Sequence, residues 1–203
     1  MDRIEFVRGL IGAAVVVASP SPAAKAPPVR HIGDCDANPV LPYDRPIGIA
    51  MRVLDGPDFH LEKYRGYAVW MNVFATWCGP CNEEQGSVEQ IAASYYDRGL
   101  RTIGVNFRES DDTVRTYRKK YGLSYPIAMD ERGGFTRGLE TGRTDENLIF
   151  PASLFFSATG YLDCYIQGTM GDSEMRYKVE RVLKTVTAPP VPAPVLHRRD
   201  RRS

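Results

Sequence analysis

Two cysteines, Cys78 and Cys81, lie either side of Gly79-Pro80 in the run NVFATWCGPC, residues 72–81. Thiols at this spacing can cycle between dithiol and disulfide, supply half of a zinc site, or form a static cross-link. A structural zinc site takes four ligands, usually completed by a second CxxC or a His pair. Here Cys35 and Cys164 are isolated, and His31, His60 and His197 are scattered. A static bridge across two residues closes too short a loop to restrict the unfolded chain by much. Redox exchange is the chemistry this spacing favours.

That chemistry needs the pair at a particular place in the chain. Tyr67 to Ala75 (YAVWMNVFA) is a continuous apolar run rich in aromatic and β-branched residues, which predicts a buried central strand. Pro80 suits the first turn of a helix, where its missing N–H is no loss. Cys78 then ends a strand and Cys81 enters a helix. The unpaired N–H groups and dipole of a helix N-terminus favour an anion, so a Cys78 thiolate should be stabilised. Cys78 is the expected nucleophile, and Cys81 the thiol that resolves the mixed disulfide. Gly79 permits the tight turn, and Trp77 is placed to shield one side of the pair.

The helix pattern singles out a carboxylate. Val88, Ile91, Ala92 and Tyr95 form one apolar stripe, and Glu84 lies on the same face. Glu83 aligns with the polar Ser87, Gln90 and Ser94. A carboxyl on the buried face should titrate high and could exchange protons with Cys81. The alternative is an exposed first-turn acid that only complements the dipole.

The other elements alternate. Ile47 to Leu54 and Asp58 to Leu61 read as a hairpin around Asp55-Gly56. Thr102 to Phe107 and Pro126 to Met129 read as strands, with a polar, exposed helix over 111–121 ended by Gly122. Gly133 to Leu139 reads as a short helix. Ala152 to Phe156 and Tyr161 to Gln167 read as a hairpin, and Ser173 to Val186 as a final amphipathic helix. Strands alternating with helices predict an α/β fold with parallel strand pairs.

The 203 residues suit one domain with extensions, and 26 basic against 25 acidic residues give no reason to expect a nucleic-acid partner. Basic Arg3 and Arg8, the apolar run 10–18, and small residues and prolines to Pro28 resemble an export signal. The run is too short to span a membrane comfortably. Cleavage after Ala23, an uncleaved anchor and a buried N-terminal helix all remain open. Export would place the chain outside the cytosol, where disulfides persist. The expected layout is a signal or anchor over 1–26, a linker over 27–45, the folded domain over 46–187, and a Pro-rich basic tail over 188–203.

The motif MNVFATWCGPC resembles the thioredoxin superfamily, and most closely the exported TlpA/ResA-type thiol–disulfide oxidoreductases. The stretches DGPDFHLEKYRG (55–66), VNFRESDDTVRTYRKKYGLSYPIAMD (105–130) and FPASLFFSATG (150–160) support the likeness, which covers about 45 to 187. It implies a thioredoxin fold with an N-terminal β-hairpin and a central αβ insertion. Pro151 matches the cis-proline that faces the CxxC and helps hold extended thiol substrates. Phe150 departs from the small or β-branched residue common before it. Asn72 stands where cytosolic thioredoxins carry a buried aspartate, and Glu84 matches a glutamate of ResA-like members. The implied substrate-binding set is Trp77, Gly79, Pro80, Phe150 and Pro151. In an exported protein Cys35 and Cys164 could pair and pin the N-terminal arm to the last hairpin. Cys164 alternates with Leu162 and Ile166, so it could equally be a buried free thiol.

The expected activity is an exported thiol:disulfide oxidoreductase, acting as a reductase of protein disulfides. Apocytochrome c cysteines or a copper-site cysteine pair are candidate substrates, with a membrane thiol carrier as electron donor. No cofactor and no metal are expected, and a monomer is. Two alternatives stand beside it: a disulfide-forming oxidant, and a copper-delivery chaperone on the same fold. The chaperone would need a histidine downstream of the cysteines, and none occurs between His60 and His197. A peroxidase would need Thr or Ser three residues before the reactive cysteine, where this chain has Ala75.

Overall fold

The computed structural model describes residues 35–36, 41–139 and 149–186. The expected signal and basic tail lie outside the described residues, as does most of the expected linker. Among the described residues no helix is long and apolar enough to cross a membrane.

Among the described residues seven strands and four α-helices follow one another. β1 (Ala50–Met51) and β2 (Phe59–His60) form a small antiparallel pair. β3 (Ala68–Phe74) leads into α1 (Gly79–Tyr95). β4 (Leu100–Phe107), α2 (Asp111–Tyr121), β5 (Ile127–Asp130) and the five-residue α3 (Gly134–Gly138) come next. β6 (Ala152–Phe156), β7 (Leu162–Gln167) and α4 (Asp172–Leu183) close the fold. The main sheet has the order β5-β4-β3-β6-β7. β3 pairs parallel with β4, as β4 does with β5, while β6 and β7 run antiparallel. This is the mixed α/β thioredoxin fold with an N-terminal hairpin.

β3 sits in the middle, and all seven of its residues are buried. Period-two alternation sends Ala68, Trp70 and Phe74 to one face of the sheet with α1, α2 and α4. Val69, Met71 and Val73 face the other side, with the hairpin residues Ile49 and Phe59. Asn72 shares the α1 side, so the one polar residue of the strand points at the helix that carries the cysteines.

Three expectations change. The hairpin shortens to two residues per strand, because its outer residues find other partners. Val53 bridges to Ala128, and the Leu54 N–H donates to the Ile127 carbonyl. Leu61 begins a 3₁₀ turn over Leu61–Tyr64, while its N–H still donates across the hairpin to the Ile49 carbonyl at 2.8 Å. α2 is not simply exposed: Val114 and Tyr117 are buried, and Tyr117 stacks on Phe74 at 5.1 Å. Gly122, at φ 64°, caps that helix in the left-handed conformation that glycine adopts most readily. In β7 a register shift between Phe155 and Phe156 opposes Phe155 to Cys164 but Phe156 to Leu162. The irregularity turns Leu162 toward the hairpin side while Cys164 and Ile166 face the helices.

Candidate active site

Cys78 is the N-cap of α1 and keeps extended backbone, φ −78° and ψ 108°. It is bonded to Cys81. The Cys81 backbone N–H points at the Cys78 Sγ, 3.1 Å away. A sulfur at the N-cap thus takes one of the helix's first N–H groups, which otherwise have no partner. Any negative charge gained by Cys78 on reduction would develop against that N–H and the positive end of the helix. Cys78 and Cys81 are only 5% and 1% exposed, so access from solvent comes at the Cys78 edge.

Glu84 lies one turn further along the same face as Cys81 and is 7% exposed. Its carboxyl accepts from Asn72 Nδ2 at 3.2 Å and from the Met170 N–H at 3.3 Å. Burial pushes its pKa up to about 7, and those two donors pull it back only partly. Asn72 cannot ionise, so Glu84 is the group beneath the cysteines that can hold or release a proton near neutrality. Glu83 is exposed.

Around the opening, the Phe150–Pro151 peptide bond is cis and Pro151 is buried at the start of β6. Its carbonyl accepts from the Gly168 N–H at 2.7 Å. Trp77 does not cover the cysteines as a buried lid. It is 65% exposed and meets the Phe150 ring edge-on at 5.7 Å. Phe107 lies 5.2 Å from Phe150 on the other side. The phenylalanine that departs from the usual residue before the proline therefore joins Trp77 to the end of β4.

No local pattern marks Glu109, which reads in the sequence as one more acid ahead of α2. Its carboxylate accepts from the Thr76 N–H at 2.7 Å, the Thr76 hydroxyl at 2.5 Å and Asn106 Nδ2 at 2.7 Å. Gln85 was missed likewise. It accepts from the Tyr117 hydroxyl at 3.2 Å and donates to the Tyr125 hydroxyl, joining α1 to α2 and to the approach to β5.

A second bond joins Cys35 to Cys164, 129 residues apart. Cys164 is fully buried. Asp36 continues the attachment: its N–H donates to the Tyr165 carbonyl, and its side chain accepts from the Gln167 N–H, both at 2.7 Å. The buried Lys178 ammonium lies 3.5 Å from the Cys35 Sγ. Among the described residues no cluster of three or more His, Cys, Asp or Glu is placed to hold a metal ion.

A thioredoxin fold that presents a bonded CxxC at the N-terminus of its first long helix defines a thiol–disulfide oxidoreductase. Residues 47–164 match the AhpC/TSA family, and the chain belongs to it. It is 27% identical over 134 residues to the thiol-disulfide oxidoreductase ResA of Bacillus thuringiensis, covering 66% of this chain and 72% of that protein. Identity to the thioredoxin-like protein YneN of Bacillus subtilis is 29% over 135 residues, with 64% and 74% covered. A thioredoxin-family thiol:disulfide interchange protein of Chlorobium tepidum superposes with TM-score 0.58 at 26% identity, covering 68% of this chain and 94% of that one. A secreted thiol-disulfide isomerase of Corynebacterium glutamicum shares the fold, with TM-score 0.61 at 17% identity over 69% of this chain and 86% of that one.

Proposed function

We propose that this oxidoreductase works outside the cytosol as a reductase of protein disulfides. The observation that carries the reading is the Cys78 Sγ seated at the N-cap of α1, with Cys81 and Glu84 buried behind it on one helix face. In the reduced enzyme the Cys78 thiolate attacks a substrate disulfide. An S–S bond forms to Cys78, and one substrate sulfur leaves as a thiolate. Glu84, with a pKa near neutrality, takes the Cys81 proton as that thiol attacks the Cys78 sulfur. The enzyme disulfide closes, and the second substrate thiolate departs with both electrons. A proton from Glu84 and one from solvent leave the substrate as a dithiol. A membrane thiol carrier re-reduces the enzyme.

Trp77, Gly79, Pro80, Phe150 and Pro151 form the lip against which an extended substrate would lie. Two kinds of substrate fit: the haem-binding cysteines of an apocytochrome c, and the cysteine pair of a copper site. Export through the N-terminal segment and a monomeric state belong to the same proposal. Ala75, buried where a peroxidase would carry a hydroxyl, leaves a peroxide without that donor.

The test is the reduction potential of the Cys78–Cys81 pair, from equilibration with thiol buffers. A value near thioredoxin's, about −270 mV, is expected. A value near the oxidant DsbA's, about −120 mV, would make this a disulfide-forming enzyme.

A further inference from the structure

The turn that delivers Cys78 to α1 is gripped from two sides. From the end of β4, Glu109 takes both the N–H and the hydroxyl of Thr76, and with them Asn106 Nδ2. From α1, Asn82 Nδ2 donates to the Thr76 carbonyl at 3.2 Å. The Cys78 N–H closes the turn on the Ala75 carbonyl at 3.1 Å. Thr76 is two residues from the reacting sulfur.

Two further observations mark Glu109 as more than a surface acid. Arg108, immediately before it, is held at φ 55°, in the left-handed region that non-glycine residues adopt only when their surroundings impose it. The chain adopts that conformation where it leaves β4 and turns the next side chain back to Thr76. The partners also differ from those of the neighbouring acids. Asp111 pairs with Arg52 and Arg115, and Asp112 pairs with Arg115. Among the described residues the three donors to Glu109 are all neutral, so its charge is dispersed by hydrogen bonds but not cancelled by a cation.

We propose that Glu109 is a positioning residue that holds the Thr76 turn and, through its negative charge, lowers the reduction potential of the Cys78–Cys81 pair. The helix N-terminus stabilises the reduced form by favouring the Cys78 thiolate, and a stabilised reduced form makes a disulfide more oxidising. A carboxylate anchored two residues away opposes that stabilisation. The proposal rests on the reading of Cys78–Cys81 as the reacting pair, which loss of turnover in Cys78→Ala tests separately.

The experiment equilibrates the full chain and its variants with glutathione buffers. Thiol trapping and peptide mass follow residues 78–81 apart from Cys35–Cys164. Glu109→Gln should weaken the enzyme disulfide against glutathione about tenfold, a rise of about 30 mV. It should also speed alkylation of Cys78. Glu109→Asp, which keeps the charge, should stay within about threefold of wild type on the same scale. A Glu109→Gln protein that unfolds cooperatively yet keeps the wild-type potential and alkylation rate overturns the proposal. So does a Glu109→Asp protein that shifts as far as Glu109→Gln. Should Glu109→Gln not fold, Thr76→Val decides. Loss of one donor leaves the carboxylate less dispersed, so the potential should fall; an unchanged or raised value overturns the proposal. These are differences between variants. A wild-type value at the oxidant end would instead remove the reductase reading and leave the role of Glu109 standing.

Discussion

The two disulfides of this protein are the same covalent bond in opposite settings. Cys78–Cys81 spans 3 residues of sequence and sits at a helix N-cap, with Glu84 beneath it and the Glu109 clamp beside it. Cys35–Cys164 spans 129 residues and fastens the N-terminal arm to β7, the edge of the sheet, against the Lys178 ammonium. In the chain-entropy account, a loop as long as the second restricts the unfolded state by roughly 5 kcal/mol, and one as short as the first by roughly 2 kcal/mol. The long bridge is therefore the one that can hold the fold together. The short one adds little stability, so opening and closing it costs the fold little. What it has instead is an environment that treats its oxidised and reduced forms differently.

That division of labour can be broken first at the nucleophile. Cys78→Ala should abolish reduction of a model protein disulfide, and Cys81→Ala should leave the enzyme trapped as a mixed disulfide visible by intact mass. Neither should lower the unfolding free energy measured in urea by more than the short loop contributes, about 2 kcal/mol. A large loss of stability in Cys78→Ala would mean that the short bridge is structural as well.

Removing the long bridge should do the reverse. A Cys35→Ser, Cys164→Ala protein should lose about 2–5 kcal/mol in urea unfolding. The potential of Cys78–Cys81 should be unchanged. A shift in that potential would show that the arm and the site are coupled.

Glu84 sharpens the contrast through pH. Its carboxyl titrates at about 7 in the fold against an ordinary 4.5. Between those values the folded chain holds a proton that the unfolded chain has released. Stability from this group is therefore greatest below pH 4.5 and falls as pH rises toward 7, by about 3 kcal/mol at most. Glu84→Gln should flatten that part of the stability curve in urea titrations. It should also slow closure of the mixed disulfide, leaving the first attack by Cys78 less affected.

The smallest effect should come from the lip. Trp77→Ala removes an exposed ring that touches Phe150, so unfolding should move by no more than about 0.5 kcal/mol. KM for a protein disulfide should rise about tenfold, the equivalent of about 1.4 kcal/mol of lost contact. An unchanged KM would take Trp77 out of the substrate surface.

The parts of the fold that were legible were those with a local physical cause. The apolar run around β3, Pro80 at the start of α1, and Gly122 closing α2 each act through their own backbone or side-chain period. The stripe Glu84, Val88, Ile91, Tyr95 is buried because a helix repeats every 3.6 residues whatever it packs against. The hairpin is shorter than its sequence pattern because Val53 and Leu54 pair with β5, which lies more than 70 residues away. The two faces of β7 depart from the pattern because a single register shift reverses an alternation that the sequence shows as regular.

The available chemistry is written into the chain locally: two thiols at the right spacing, a strand and a helix to carry them, and one acid on the buried face. Those follow from residue types and short periods. What surrounds the sulfurs depends on how the chain folds back on itself. Asn72 on β3 and Met170 before α4 meet on Glu84, Glu109 returns from the end of β4 to hold Thr76, and Cys35 reaches Cys164 across almost the whole domain. Each of these joins residues distant in the chain, and such meetings are fixed by how the sheet orders its strands and on which face each helix lies, which no local pattern specifies.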